Sequence, residues 1–512
     1  MTAKVITANG EISGIQREDH VEFRGIPYAE QPIGVSRFKA PQPLMPEDDP
    51  LTAERFGDAC SQEEVSMFGI SQMSEDCLYL NIWTPNCDNR KRPVMVWIHG
   101  GGYQTGSGAQ LIYRGGPLAV HGDLVVVTLN YRLAAFGFLY LNDLIPERYN
   151  VSANNGLLDQ LEALKWIRQN IAQFGGDPDQ VTLFGESAGA MAISTLLACP
   201  AAKGLFKRAI LQSGSADQVL TREEANRIAH RFLEVTDINP SQPDKLWQLS
   251  PKQIVKAQRE CMRMSFDRGI YAQEVPQTGM TLVPVIDGTI LPQSPLRSLE
   301  QGESRDIPLL ITWTRDEWNL FLRMPGAEKI MNNETFKSLD KLGLIKLCEK
   351  NLPGMGERAA NLYEKLLKAR NPNASYADMF SAFESDRVFR IPSLRMGEMH
   401  SRHCQDTFLG QFNWDKGLLG ACHASDIPLV FGCADNGVGQ FLTGGGEGAK
   451  RLSDAVQSCW IAFARSGNPA TDRVGKWSAF NKDNRKVMCF DEVTQLLDDP
   501  MEQEEELWEG VL

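Results

Sequence analysis

A serine flanked by small residues is the side chain in this sequence best placed for nucleophilic chemistry. Ser187 lies in the pentapeptide GESAG at 185–189, after a short apolar run at 181–184. Small residues suit a strand-to-helix turn because it strains the serine backbone and brings two backbones close together. The pattern predicts a nucleophile elbow that lifts the hydroxyl above a sheet edge. An ordinary glycine-rich turn is the alternative, so the serine needs identifiable partners.

A run of three glycines offers the second component. Residues 94–98 predict a buried strand, and His99 then leads into the glycines at 100–102. A backbone without side chains can aim its N–H groups into a cleft. The simpler interpretation of three consecutive glycines is a flexible loop. We expect the N–H groups of Gly101, Gly102 and Ala188 to bind a developing oxyanion. His99 is expected to support this loop through a hydrogen bond.

A serine hydroxyl needs a base, and histidine has the appropriate pKa near neutrality. The chain has seven histidines. His423 follows the predicted strand at 407–412, so it lies beyond the carboxyl end of that strand, where reacting groups gather in open α/β sheets. The other six are assigned to the wrong end of that strand (His400, His403), to the glycine loop (His99) or to positions away from strand ends (His20, His121, His230).

The base in turn needs a carboxylate to orient its ring. Asp316 and Glu317 both follow the predicted strand at 308–312, and spacing alone does not choose between them. Asp316 stands next to Arg315 and is expected to form a surface ion pair. Asp426 is a third candidate, but its place three residues after His423 favours a helix-capping role.

Buried strands and amphipathic helices alternate along most of the chain, which predicts a mainly parallel sheet covered on both faces. Residues 14–24 predict an antiparallel meander, and 78–83 predict a second edge strand. The remaining strands are expected at 94–98, 124–129, 181–184, 208–212, 308–312, 407–412 and, as the last one, 487–490. Helical insertions at 216–300 and 320–400 are expected to line the cleft of a single domain spanning 1–512.

Composition restricts the possible partners and location. The net charge of −13 argues against nucleic acid and anionic membranes, and no run is long and apolar enough to span a bilayer. The amino terminus lacks the pattern of an export signal, so a cytoplasmic protein is expected. Eleven cysteines without zinc-ligand spacing predict no metal site. Cys60 and Cys77 flank one loop and would pair in an oxidising compartment, although a scattered, odd set is more often reduced.

Several further motifs resemble the type-B carboxylesterase family, which includes bacterial p-nitrobenzyl esterases, mammalian carboxylesterases and cholinesterases. The similarity covers nearly the whole chain and is closest in character to the bacterial p-nitrobenzyl esterases. Besides GESAG, the matching motifs are FRGIPYA at 23–29, RF at 37–38, SEDCLYLN at 74–81, NYRL at 130–133, FGGDP at 174–178, QSGS at 212–215 and CHASD at 422–426. Their number and order make coincidence an inadequate explanation.

The resemblance implies an α/β-hydrolase fold with Ser187 as nucleophile, His423 as base and Glu317 as the acid. It also implies a disulfide between Cys60 and Cys77. The chain departs from the family pattern at three positions: Trp318 and Ala134 replace common glycines, and Gln31 replaces a common proline. Trp318 is the most consequential, because its ring stands beside the acid.

These observations predict a carboxylesterase, a serine hydrolase that forms an acyl-enzyme and needs no cofactor. A thioesterase or acyltransferase on the same fold is the first alternative, and a non-catalytic binding relative is the second. The expected partner is a small ester, and the protein is expected to be a monomer or a weak homo-oligomer.

The substrate is expected to be an uncharged ester of small or medium size. The residues expected to line its pocket are Met67, Phe68, Tyr103, Phe266, Trp318 and Phe321. A place in the packed core explains each of these side chains equally well. The loop between Cys60 and Cys77 has no tryptophan to bind a quaternary ammonium group, which argues against a cholinesterase.

Overall fold

The computed structural model describes residues 2–64, 69–70, 72–145, 152–267, 280–324 and 338–510, except for the side chains of 262–267. The chain groups into two compact units. The first comprises Met1–Leu211, Ala216–Pro308 and Ala464–Gly467, and the second comprises Gln212–Ser215, Leu309–Phe463 and Asn468–Leu512. The single domain over 1–512 stays a prediction.

The first unit begins with the predicted meander. Its strands are β1 (Thr2–Thr7), β2 (Gly10–Gln16), β3 (Val21–Pro27), β4 (Leu51–Thr52), β5 (Ala59–Cys60), β6 (Met73–Ser74), β7 (Tyr79–Thr84), β8 (Arg92–Ile98), β9 (Val125–Leu129), β10 (Gly176–Glu186) and β11 (Arg208–Gln212). β1, β2 and β3 pair antiparallel, which confirms the meander. The edge position predicted for 78–83 is wrong, because β7 pairs with β3 on one side and β9 on the other.

Three strands in this unit position the nucleophile and the glycine loop. β8 pairs in parallel with β9 and with β10, and Ile98 stands opposite Gly185 in register. Their apolar runs are buried, as expected for strands covered on both faces. Because β8 and β10 run parallel, the segments that follow them emerge at the same edge of the sheet.

The helices of the first unit include the predicted elbow helix. They are α1 (Gly116–Gly122), α2 (Ala134–Phe138), α3 (Asn155–Asn170), α4 (Ala188–Leu197), α5 (Arg222–Val235), α6 (Pro251–Asp267) and α7 (Pro295–Glu300). Short 3-10 turns lie at Gly34–Ser36, Leu111–Tyr113, Ile171–Phe174, Pro200–Ala202 and Pro243–Gln248. α5 starts with a capping box. The Thr221 hydroxyl accepts from the backbone N–H of Glu224, and the Glu224 carboxylate accepts from the backbone N–H of Thr221. The described part of 216–300 is largely helical. Its place as an insertion that lines the cleft stays a prediction.

The second unit combines a small sheet with a helical bundle. β12 (Leu309–Thr314), β13 (Thr407–Phe412) and β14 (Lys486–Phe490) are parallel, and β15 (Gln495–Asp498) pairs antiparallel with β14. The prediction that 487–490 holds the last strand is therefore wrong. The short, partly exposed residues of β15 carry little of the apolar signal by which buried strands are recognised.

The helices of this unit are α8 (Asn319–Arg323), α9 (Lys341–Asn351), α10 (Gly356–Arg370), α11 (Tyr376–Ser385), a π-helical turn at Asp386–Arg390, α12 (Ile391–Ser401), α13 (Ile427–Phe431), α14 (Gly437–Thr443), α15 (Gly446–Ser466) and α16 (Glu502–Trp508). A hydrophobic core joins α9, α10 and α11 and receives Trp508 from α16. None of the helices described is long and apolar enough to cross a membrane.

Candidate active site

Ser187 occupies the strained turn that the sequence predicts. It follows β10 and precedes α4, with φ 56° and ψ −127°, outside the regions that a non-glycine residue ordinarily adopts. Its small neighbours are a steric requirement. A Cβ on Gly185 would lie 2.8 Å from the Ile98 carbonyl oxygen, and one on Gly189 would overlap that oxygen. The turn leaves Ser187 partly exposed.

The glycine loop lies beside this turn. A Cβ built on Gly100 would come within 3.0 Å of Ser187 Cβ, so only glycine permits the approach. Gly101 and Gly102 have φ of 105° and 62°, which favour glycine as well. Ala188 is the first residue of α4, where backbone N–H groups have no partner within the helix. The unit thus brings together the serine and the three predicted oxyanion donors.

His99 supports the glycine loop, as the sequence suggests. Its Nδ1 lies 2.8 Å from the Gly100 carbonyl oxygen, and its ring stacks on Tyr131 with a centroid separation of 4.6 Å. The Tyr131 hydroxyl donates to the His99 carbonyl oxygen at 2.8 Å. Complete burial lowers the pKa of His99 to about 4, so the ring is neutral at neutral pH.

Gln62 is a further support of this loop that the sequence did not reveal. Its side-chain oxygen accepts from the Gly106 N–H at 2.7 Å, and its side-chain nitrogen donates to the Gly106 carbonyl at 2.8 Å. Gln62 is two residues from Cys60, which forms a disulfide with Cys77. The disulfide implied by the resemblance is present, and its loop is hydrogen-bonded to the segment that follows the glycines.

In the second unit, the predicted base and acid are in direct contact. His423 Nδ1 lies 2.6 Å from Glu317 Oε2. The other oxygen, Oε1, accepts from the Thr314 N–H at 2.7 Å. Glu317 is fully buried and His423 is 4% exposed, so water competes little for this contact.

The loops that carry these residues are joined by further hydrogen bonds. The His423 N–H donates to the Glu317 carbonyl at 3.2 Å, and the Asp316 N–H donates to the Ala421 carbonyl at 2.9 Å. The Asn319 side chain donates to the Leu419 carbonyl at 3.0 Å. These contacts fix the imidazole and the carboxylate relative to each other.

The other two candidate acids have different partners. Burial would raise the pKa of Asp316, but the guanidinium groups of Arg315 and Arg370 outweigh it and hold that pKa below its ordinary value. This is the ion pair that the sequence predicts. Asp426 precedes α13, but the capping prediction for its side chain is wrong, because the carboxylate instead accepts from Gln212 Nε2 at 2.6 Å.

Two aromatic rings lie against the imidazole. The ring centroids of Phe321 and Phe389 lie 5.2 Å and 4.6 Å from that of His423. Trp318 packs against Phe321 at 4.7 Å. Trp318 has φ −72° and ψ −9°, an ordinary helical conformation that does not require the family's glycine, and its backbone N–H donates to Ser385 Oγ at 2.9 Å. Sequence reasoning missed Phe389 because it lies within a helical stretch, far from any strand end.

Of the remaining pocket candidates, only Tyr103 has a side chain that the structure describes. Tyr103 is fully buried and packs edge-on against Phe138 at 5.0 Å, a position in the core of the first unit. Met67 and Phe68 lie outside the residues that the structure describes, as does the side chain of Phe266.

Comparison with known proteins shows the family to which the chain belongs. The carboxylesterase family matches residues 1–508. The para-nitrobenzyl esterase of Bacillus subtilis (strain 168) is 37% identical over 98% of this chain and 97% of its own. The phenmedipham hydrolase of Pseudarthrobacter oxydans is 30% identical over 94% of each chain.

Solved structures give the same result. A carboxylesterase of Geobacillus stearothermophilus aligns with a TM-score of 0.86 and 33% identity, covering 99% of this chain and 100% of its own. A p-nitrobenzyl (PNB) esterase aligns with a TM-score of 0.81 and 35% identity over 99% and 100% of the two chains. The chain therefore has the α/β-hydrolase fold, belongs to the carboxylesterase family and is a carboxylic ester hydrolase.

Proposed function

We propose that Ser187, His423 and Glu317 form the catalytic triad of this esterase. His423 takes the proton of the Ser187 hydroxyl while its oxygen attacks the ester carbonyl carbon. The N–H groups of Gly101, Gly102 and Ala188 stabilise the negative charge that develops on the carbonyl oxygen. The protonated imidazole then gives its proton to the departing alcohol, which leaves an acyl group on Ser187.

The second half of the reaction reverses these roles. His423 takes a proton from water, whose oxygen attacks the acyl carbon, and returns the proton to Ser187 as the acid departs. Glu317 remains ionised throughout and stabilises the imidazolium. The cycle requires no metal or organic cofactor.

One observation carries the proposal: the 2.6 Å contact between His423 Nδ1 and the buried Glu317 carboxylate. A carboxylate that accepts from Nδ1–H fixes the tautomer in which the proton is on Nδ1 and Nε2 is the basic nitrogen. The strained φ of 56° at Ser187 is an independent support, because strain of this kind persists where function requires it.

We further propose that the substrates are uncharged esters of small or medium size. Phe321 and Phe389 lie against the imidazole, and Trp318 packs on Phe321, so the side chains beside the base are apolar rather than charged. Two relatives are named for a para-nitrobenzyl ester and for phenmedipham. An acetylcholinesterase of Leptinotarsa decemlineata is also 31% identical, so choline esters are the informative comparison.

The experiment compares p-nitrophenyl acetate and butyrate with the corresponding thiocholine esters, using the wild type and the Ser187→Ala and His423→Asn variants. Hydrolysis of the neutral esters should be faster and should fall about 10³-fold or more in either variant. Equal or faster turnover of the thiocholine esters would refute the substrate proposal. Activity that survives in both variants would refute the triad, and ester formation from an added alcohol in place of the free acid would indicate a transferase.

A cytoplasmic location and a monomeric or weakly associated state stay predictions. The Cys60–Cys77 disulfide weighs against the first, because disulfides are uncommon in the cytosol.

A further inference from the structure

Among the described rings, the one nearest the catalytic imidazole comes from an unusual turn of helix. Phe389 belongs to the π-helical turn Asp386–Arg390, which joins α11 to α12. Its ring is 3% exposed and stacks on Phe321 with a centroid separation of 6.0 Å and an interplanar angle of 8°. π-Helical turns are rare and are found frequently at functional sites, since the extra residue redirects the side chains that follow.

The first residue of this turn carries a buried carboxyl group. Asp386 is fully buried, and its Oδ2 accepts from the Tyr363 hydroxyl at 2.6 Å. Arg390, at the other end of the turn, forms an ion pair with Asp386. Burial raises the pKa of Asp386, and the Arg390 charge opposes that rise. The Asp386 carboxyl group therefore links the first residue of the turn to its last residue, Arg390.

The same network reaches the C-terminal helix. Trp508 Nε1 donates to the Tyr363 hydroxyl at 3.1 Å, and Glu504 lies 3.4 Å from the Arg390 guanidinium. Trp508 is fully buried and packs on Phe383 of α11 with a centroid separation of 5.2 Å. Two residues of α16 thus contact the groups that hold the π turn.

We propose that α16 positions the catalytic base: the hydrogen-bonded series Trp508, Tyr363 and Asp386 fixes the π turn, and the turn holds Phe389 against the His423 ring. The inference rests on the proposed role of His423 and deepens it by assigning Tyr363 and Trp508 as positioning residues. Catalytic groups need to be held within fractions of an ångström, and supporting packing and hydrogen bonds supply that precision. α16 is thereby connected to the chemistry through its buried residue Trp508.

The test uses Tyr363→Phe, which removes one hydroxyl and keeps the ring. Tyr376→Phe is the matched control, because Tyr376 begins α11 in the same bundle but does not belong to this series. Rates are expressed per acylatable Ser187, measured by titration, so that unfolded molecules do not count. We expect kcat to fall about tenfold in Tyr363→Phe with KM within about twofold, and neither constant to change in Tyr376→Phe.

Repeating the Tyr363→Phe substitution in a protein that already carries Phe389→Leu separates positioning from a general loss of stability. If the effect is transmitted by Phe389, Tyr363→Phe should lower kcat less than about twofold when Phe389→Leu is already present. Trp508→Phe, which keeps an aromatic ring but removes the N–H, should lower kcat in the same way. Unchanged kcat in both Tyr363→Phe and Trp508→Phe would overturn the inference, as would equal effects of Tyr363→Phe in the two backgrounds.

Failure of the proposed function would look different. If His423→Asn kept the wild-type kcat, His423 would not be the base, whatever the Tyr363 variants do. If His423→Asn were inactive while Tyr363→Phe and Trp508→Phe were normal, the triad would stand and only the role of α16 would be refuted.

Discussion

His423 and Glu317 meet twice: Nδ1 of the ring lies 2.6 Å from Glu317 Oε2, and the His423 N–H donates to the Glu317 carbonyl at 3.2 Å. The side-chain contact orients the imidazole, and the backbone contact fixes the distance between the loops that carry the two residues. The adjacent Asp316 points instead to Arg315 and Arg370. The two neighbouring carboxylates therefore have separable roles.

The first prediction concerns these carboxylates. Glu317→Gln should lower kcat about 10³- to 10⁴-fold, because the amide no longer fixes the tautomer or stabilises the imidazolium. Asp316→Asn, the matched control, should lower the thermal midpoint through its lost ion pairs and leave kcat within about threefold. Steady-state kinetics and thermal unfolding measure both. A large loss of kcat in Asp316→Asn with normal kcat in Glu317→Gln would reverse the assignment.

The second prediction concerns the elbow. A Cβ on Gly189 would overlap the Ile98 carbonyl, so Gly189→Ala should destabilise the protein by about 1–3 kcal/mol or prevent folding. Gly437→Ala is the control, since no described atom lies within 4 Å of the position its Cβ would take. Chemical denaturation should show that Gly437→Ala is nearly neutral. Equal stability of the two variants would contradict the close approach of α4 to β8.

The third prediction concerns pH. The pKa of His99 is about 4 in the folded protein, below the ordinary value of 6.5, so between these values only the unfolded chain binds the proton. Above pH 6.5 both states hold His99 neutral, and the proton does not affect the free energy of unfolding. As the pH falls from 6.5 toward 4, protonation of the unfolded chain lowers the free energy of unfolding, by a total on the order of 3 kcal/mol.

Unfolding free energies of the wild type and His99→Gln, measured from pH 7 to pH 4, test this contribution. The variant lacks the titrating ring, so its stability should decline less steeply than that of the wild type. Parallel declines would show that the ring does not resist protonation in the folded state.

The fourth prediction concerns the disulfide. Cys60 and Cys77 close a loop with a sequence separation of 17, for which chain entropy suggests a stabilisation of about 3 kcal/mol. Reduction should lower the thermal midpoint, and kcat should fall as well if the Gln62 contacts to Gly106 loosen. The double variant Cys60→Ser/Cys77→Ser should not respond to reductant. Free thiols at both positions in the non-reduced protein, detected by alkylation and mass spectrometry, would contradict the pairing.

Most of the sheet could be predicted because buried strands are apolar runs of recognisable length. The error at β7 has a physical cause. Asn81 interrupts the apolar residues and suggests a solvent-facing side, but it is buried, donates to Thr128 Oγ1 at 3.0 Å and accepts from the Gly25 N–H at 2.9 Å. A polar side chain whose hydrogen bonds are satisfied inside a sheet looks like an exposed one in the sequence.

The candidate site was predictable where chemistry limits the choice of residue. Few side chains can replace the serine, the histidine and the glycines, and each follows a strand. Phe389 and Trp508 were not predictable, because their importance depends on a π turn and on hydrogen bonds between distant segments. Gln62 was missed for the same reason: its two contacts are to the backbone of Gly106, and backbone contacts leave no mark on the partner's side chain.

The central claim is that Ser187 becomes acylated and that His423 drives the reaction. A pre-steady-state reaction with p-nitrophenyl acetate, quenched in acid and followed by peptide mass mapping, tests it directly. The account predicts acetyl on Ser187 in the wild type, slow acetylation in His423→Asn and none at position 187 in Ser187→Ala. Acetyl on another residue, or full esterase activity in Ser187→Ala, would contradict it.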